Sequence, residues 1–427
     1  AGGAAEAFRY GVLRDRGESC DEVERARQNV VKILDGLHMA VDVTGVPGVI
    51  ARSITRRDLP GNDKIVTTPL FDEYGNPLPV EKNNGTMRAD NSGRHPDWVW
   101  NDSCSRDMLV GWAMAFAAVH EVIKDDPSFD PALKARLRAD ALAIGTSLSV
   151  KRESGYDLEI RDADGRITFH GVMNENSIDR AYVPGAENGF YAIMALGIVA
   201  GLAYVAGDPT LDKYLKNELI KKRKLQVLAR DAMKWVDMGV QSNFSNYNMA
   251  FTGAWLALRY VPDADARKVV REATASALYN VPGRDRQPSE QEMSFYDFIY
   301  AVAVSGESVY SGPDAPPDPG ALERGVGTLK GFPFPPYWDY TIVNCDEDEI
   351  KALSCTAVDG THLDLLAELG RGDKVVAKKV VPMRTRPPSN YVWRSNPYEV
   401  NGGGSGDRMN PAVDFRAAYW MGQWSRR

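Results

Sequence analysis

WVWNDSCSRDMLVGWAMAFAAVHEVI, residues 98–123, sets three tryptophans, two aspartates and an arginine around the start of a run that shows no polar face until His120. A helix that is apolar all round is buried on every side. The chain therefore places acids and indole rings at the mouth of a core helix. Two later runs have the same character, GFYAIMALGIVAGLAYVAG (189–207) and MAFTGAWLALRYV (249–261). Amphipathic segments follow each of the three, over 130–150, 210–236 and 262–279, with apolar residues at helical spacing among charges. Such alternation suits a double layer of helices. Inner helices touch neighbours on both sides, while outer helices show one face to water. No self-similar motif recurs at the period of about 34 to 47 residues that a helical solenoid requires. The sequence predicts an all-α fold, an (α/α)6-type toroid with inserted β-hairpins and long loops, forming one domain over residues 1–427.

The chain has 427 residues, 44% hydrophobic and 26% charged, enough to bury a large core. A net charge of −7 argues against a nucleic-acid or anionic-membrane surface. Each long apolar run is read as interrupted, so no transmembrane helix is expected. Of the four cysteines, Cys345 and Cys355 stand ten residues apart in NCDEDEIKALSC. They are expected to close a local disulfide in a secreted or periplasmic protein. The small-residue stretch AGGAAEAF at the start fits a processed end, left by signal-peptide removal or lying downstream of a lipidated cysteine. The five histidines are scattered and no CxxC or HxxxH spacing occurs, so neither metal nor cofactor is expected.

The non-helical pieces cluster. Residues 56–100 contain strand-like IVTTPLF and the turn DEYGNP, and 155–170, GYDLEIRDADGRITFH, reads as a β-hairpin turning at Asp164–Gly165. Its D-x-D-G run resembles the start of a calcium loop but lacks the later acidic ligands, which favours the plain hairpin. GPDAPPDPG (312–320), GFPFPPYWDY (331–340) and NGGGSGDR (401–408) read as loops before a last helix over 411–424.

In a toroid the inner helices run parallel, so their N-termini converge with their positive ends and unpaired amides. Acids, amides and flat rings gather at those starts and suit a sugar, whose faces stack on aromatic rings while its hydroxyls need donors and acceptors. Asp107, Asp102 and Glu187 are the candidate catalytic acids. Trp98, Trp100, Arg106, Asn188, Tyr247, Asn248, Tyr296 and Trp338 are the candidate substrate contacts. Asp102, Ser103 and Ser105 also fit ordinary helix caps. Asp107 lies past the cap on an apolar helix, where a carboxylate needs a partner, Arg106 or Arg52. Five residues turn a helix by about 140°, so Asp102 and Asp107 cannot share one helical face. The second acid then comes from the preceding loop or from Glu187, Glu290, Glu292, Asp297 or Asp339.

The pattern W-N-D-S-x-S-R-D-x-x-x-G at Trp100–Gly111 resembles the start of an inner helix in α/α-toroid glycoside hydrolases and polysaccharide lyases. TGVPGVIARS (44–53), DADGRIT (162–168), RSNPYEV (394–400) and VDFRAAYWMG (413–422) resemble segments of secreted bacterial proteins of that architecture. The resemblance implies a fold and a cleft, and assigns no residue a role. The expected function is cleavage of glycosidic bonds in a poly- or oligosaccharide by inverting hydrolysis with paired carboxylates. The alternatives are a polysaccharide lyase, with Tyr182, Tyr247 or Tyr296 as base and Asn188 or Arg106 neutralising a uronate, and a toroid that binds a glycan or partner without turnover.

Overall fold

Two helices, α1 (Gly2–Arg16) and α2 (Cys20–Asp42), begin the chain. The computed structural model describes residues 1–304, 320–332, 337–388, 396–410 and 412–425. In α2, Ala26, Val30, Leu34, Leu37 and Val41 recur at helical spacing and turn inward. A three-stranded antiparallel sheet follows, with β1 (Ser53–Arg56) and β2 (Met87–Ala89) flanking β3 (Trp98–Asn101). Trp100 is its anchor. It pairs with Ile54 and Arg88, is fully buried, and donates its indole N–H to the Ala89 carbonyl at 2.8 Å.

Strand β3 leads directly to α3 (Arg106–Ile123), the apolar helix expected from the opening stretch. Helix α4 (Pro131–Ser149) starts at Asp130, whose side chain accepts the Ala132 N–H, with proline at the first helical position. The hairpin of β4 (Glu159–Arg161) and β5 (Ile167–Val172) turns where the sequence indicates, Gly165 taking φ 83°. A smaller hairpin, β6 (Ser177–Ile178) and β7 (Ala181–Tyr182), precedes α5 (Gly189–Ala206). Asn188 caps α5 by accepting the Tyr191 N–H. After α5 the chain breaks into short helical segments up to Gln241, where one long amphipathic helix was expected.

Helices α6 (Phe244–Tyr260), α7 (Ala264–Thr274), α8 (Ser294–Ile299) and α9 (Gly320–Gly331) come next. A two-stranded antiparallel ribbon then joins β8 (Tyr337–Val343) to a distant strand, and β9 (Ser354–Thr356) pairs with β10 (His362–Asp364). The ribbon's second strand is β11 (Asn401–Asn410), and α10 (Val413–Ser425) ends the described chain.

Helix α1 packs on α2, α3 and α10, while α5 packs between α3 and α6. The α5–α6 contact is glycine against glycine. A Cβ added at Gly197 would lie 2.2 Å from the Gly253 carbonyl oxygen, so only glycine allows the backbones this close. A smaller core of Cys345, Cys355, Leu363, Leu365, Val381 and Val400 forms around the Cys345–Cys355 disulfide, whose Cα atoms are 5.4 Å apart.

The all-α (α/α)6 toroid expected from the sequence is overturned. The chain is 51% helix and 14% strand, with several small sheets, and is mixed α/β. The expectation failed on the strands, most of them two to four residues long and so below the reach of a periodicity test. GFPFPPYWDY and NGGGSGDR, both read as loops, supply β8 and β11. Most of GPDAPPDPG, residues 312–319, lies outside the described residues, as do residues 394 and 395 of RSNPYEV. Helix α5 is long and apolar enough to cross a membrane by composition, but nearly all of it is buried among protein neighbours. No clear transmembrane segment stands among the described residues.

Candidate functional site

A cavity of about 1280 Å³ opens where several helix starts meet. Helix α1 contributes Gly3, α3 contributes Asp107, Met108 and Trp112, α8 contributes Phe295, and α10 contributes Val413 and Asp414. Lys32, Ile33 and Leu37 of α2 line it, and the β8–β11 ribbon adds Asp339, Gly404, Ser405, Arg408 and Met409. Converging helix starts bring their positive ends to one place, which favours anionic groups there. Three carboxylates, Asp107, Asp339 and Asp414, occupy it together with the partly exposed indole of Trp112.

Asp107 accepts a hydrogen bond from the Ser105 hydroxyl. That contact explains why Ser105, the residue before α3, makes no side-chain cap to the helix backbone. Neither arginine expected to neutralise Asp107 does so. Arg106 Nη2 meets Asp179 Oδ1 at 3.2 Å and its guanidinium lies 4.9 Å from the Tyr191 ring centre. Arg52 donates to Asn84 Oδ1 at 2.9 Å and to the Ser103 carbonyl at 3.2 Å. Among the described residues Asp107 has no cationic partner. Asp339 is set by the ribbon, its Oδ1 accepting the Arg408 N–H at 3.0 Å. A Cβ at Gly404 would fall 1.9 Å from Asp339 Oδ2, so the glycine-rich strand makes room for this carboxylate. Close by, burial and then the charges of Asp162 and Asp107 push the Cys104 thiol well above its usual range, so it stays a protonated core group.

Of the site residues named from the sequence, Asp107 and, among the candidate second acids, Asp339 line this cavity. Asp102 is fully buried in an ionic cluster. Lys82 and Arg88 donate to its Oδ2 at 3.0 and 2.8 Å, and the Thr86 N–H donates to its Oδ1 at 2.8 Å. The same cluster engages both aspartates of the D-x-D-G run: Lys82 reaches Asp162 at 2.5 Å and Arg166 reaches Asp164 at 2.8 Å. Glu187 is exposed, in the left-handed region at φ 51°, one residue before the α5 cap. Asn188 is that cap, and its amide also donates to the Ser177 carbonyl. Trp98 is half-buried on β3 and Trp100 is wholly buried, so neither is a platform in this cavity.

Tyr247 stacks on Phe244 and is buried, which pushes its hydroxyl up to about 12. Tyr296 donates to Asn248 Oδ1 at 2.7 Å within the core, its ring stacked on Phe251. Trp338, 43% exposed, is next to Asp339 on β8 but outside the lining. Glu290, Glu292 and Asp297 line a second cavity of about 580 Å³ with Arg324 and Arg384. They are therefore separated from Asp107. Lys32, Trp112 and Arg408 were not singled out from the sequence. Trp112 stood in the opening stretch, one and a half turns beyond Asp107, whereas Arg408 enters only through strand pairing.

Comparison of the chain with family models, with curated proteins and with solved structures finds no match in any of the three.

Proposed function

We propose that the chain is a carbohydrate-active enzyme that hydrolyses a glycosidic bond in the larger cavity with inversion. Asp107 is one of the two acting carboxylates, and Asp339 or Asp414 is the other. The single observation that carries this reading is Asp107 itself, a carboxylate with no cationic partner among the described residues, facing a cavity that holds two further carboxylates and a partly exposed indole. Inversion needs an acid to protonate the leaving oxygen and a base to activate water on the opposite face of the ring. A sugar stacked on Trp112 has the flat apolar contact that pyranose faces use. Ser105 donates to one Asp107 oxygen and leaves the other for a water or a hydroxyl. The Cys345–Cys355 disulfide is compatible with an exported protein meeting glycans outside the cell.

The test is Asp107→Asn assayed on a glycan panel, with the anomer of the product followed by NMR. Turnover should fall by about 10² or more, the usual contribution of a general acid or base. The melting temperature should stay close to wild type because no ion pair is broken. An Asp107→Asn enzyme with wild-type turnover, or a retained anomeric configuration, refutes the assignment.

A further inference from the structure

Near Asp107, whose charge acts on His170, the β6–β7 turn brings positive groups together. Asp179 sits at the tip of that turn with φ 50°, its side chain 60% exposed. Three basic groups share this one carboxylate: Arg106 at 3.2 Å, His170 Nδ1 at 3.6 Å and Arg180 at 3.7 Å. Each guanidinium lies over a ring, Arg106 over Tyr191 at 4.9 Å and Arg180 over Phe169 at 4.2 Å. Stacking of this kind fixes the guanidinium plane; Arg106 already donates to the His170 and Asp179 carbonyls and to Asp179 Oδ1, whereas Arg180 keeps its N–H edge for bidentate contact with a planar anion. Arg180 donates no hydrogen bond to any described residue and is half-exposed. His170 Nδ1 is buried and has no hydrogen-bond partner among the described residues.

We propose that Arg106, Arg180 and His170 form an oxyanion subsite next to Asp107, which takes the uronate carboxylate or sulfate ester of an acidic glycan. This rests on the hydrolase reading above and narrows its substrate class. Two arginines share the single Asp179 carboxylate, so an arriving anion completes the set. The groups facing His170 are Arg106 and Asp107 of α3 and Asp179 and Arg180 of the turn. Burial first, then Arg106, hold its imidazole below the ordinary histidine range despite Asp179 and Asp107. A bound oxyanion favours the imidazolium, so occupancy must raise the His170 midpoint and acid must tighten binding.

The experiment follows the His170 Cε1–H resonance, assigned by its loss in His170→Gln, in the full chain across pH. Galacturonate and glucuronate oligosaccharides, sulfated glycosaminoglycan oligosaccharides and neutral oligosaccharides of equal length are added separately, with calorimetry in parallel. Acidic oligosaccharides should bind, raise the His170 midpoint and bind more tightly as pH falls below neutrality. Arg180→Gln, on an exposed residue, should weaken them by about tenfold or more, as expected for loss of a charge-assisted contact, with an unchanged melting temperature. Arg180→Lys should recover only part, because the fork is lost and the charge kept. A response to sulfated sugars alone upholds the subsite and names sulfate as its anion. Neutral sugars bound as tightly as acidic ones, with Arg180→Gln silent, overturn the subsite and leave the hydrolase reading standing. Acidic sugars that bind and shift His170 but are never cleaved uphold the subsite and sink the hydrolase. Failure of every anion to move His170 overturns the proposal.

Discussion

Replacing Asp102 with alanine tests whether its carboxylate is structural. Asp102 has no exposed surface and accepts from Arg88, Lys82 and the Thr86 N–H. Arg88 is equally buried, so its charge stays in the interior when its carboxylate is removed. Breaking a buried pair in this way costs about 3–5 kcal/mol. Arg88 keeps the Thr68, Pro69 and Leu78 carbonyls as acceptors, and Lys82 keeps Asp162, which places the cost near the lower end. An unfolding entropy of about 2.1 cal/mol/K per residue makes roughly 0.9 kcal/mol/K over 427 residues, so the melting temperature should fall by roughly 3–6 °C. Differential scanning calorimetry measures it. The loss should be local as well. The segment around 79–89 hangs on this cluster, so its amides should exchange faster while α5 amides do not. A variant that melts like wild type yet loses glycan turnover would falsify the structural role and return Asp102 to the catalytic candidates.

Three further outcomes are expected. Burial lowers the His120 pKa to about 4 from an ordinary 6.5, so the unfolded chain takes up a proton that the folded chain refuses. The stability held by the neutral ring is complete above pH 6.5 and drains away towards pH 4, by about 3 kcal/mol; His120→Phe should flatten urea midpoints across that window, and an unchanged slope contradicts the assignment. Gly197→Ala drives a methyl group against the Gly253 carbonyl and should cost about 1–3 kcal/mol or more by overpacking, read as a lower denaturation midpoint, whereas Gly36→Ala, with open space at its Cβ, should not. The ten-residue Cys345–Cys355 loop should contribute about 2–3 kcal/mol, and intact mass before and after reduction should differ by two hydrogen atoms; free thiols at both positions would end the idea of an oxidised loop.

Local pattern carried much of the helical framework. The unbroken apolar faces of α3, α5 and α6 cannot meet water, so their burial followed from composition alone. The Asp164–Gly165 turn followed from the demand for positive φ between alternating residues. The Cys345–Cys355 pairing followed from spacing. Asp107 was legible too, because a carboxylate past the cap of an apolar helix has to be accounted for. The rest depended on distance along the chain. No local signal distinguishes Asp102, which is neutralised by residues 14 and 20 positions away, from Asp107, which has no cationic partner among the described residues. Strand β11 is glycine-rich and reads as a loop until β8, nearly sixty residues earlier, supplies its hydrogen bonds and carries Asp339 into the cavity. Arg106 stands beside Asp107 in the sequence, yet it turns to Asp179, 73 residues away, because that carboxylate and the Tyr191 ring lie there in the folded chain. Burial by periodicity is a property of one segment, whereas pairing of charges and strands is a property of two, and only the tertiary structure decided which two meet.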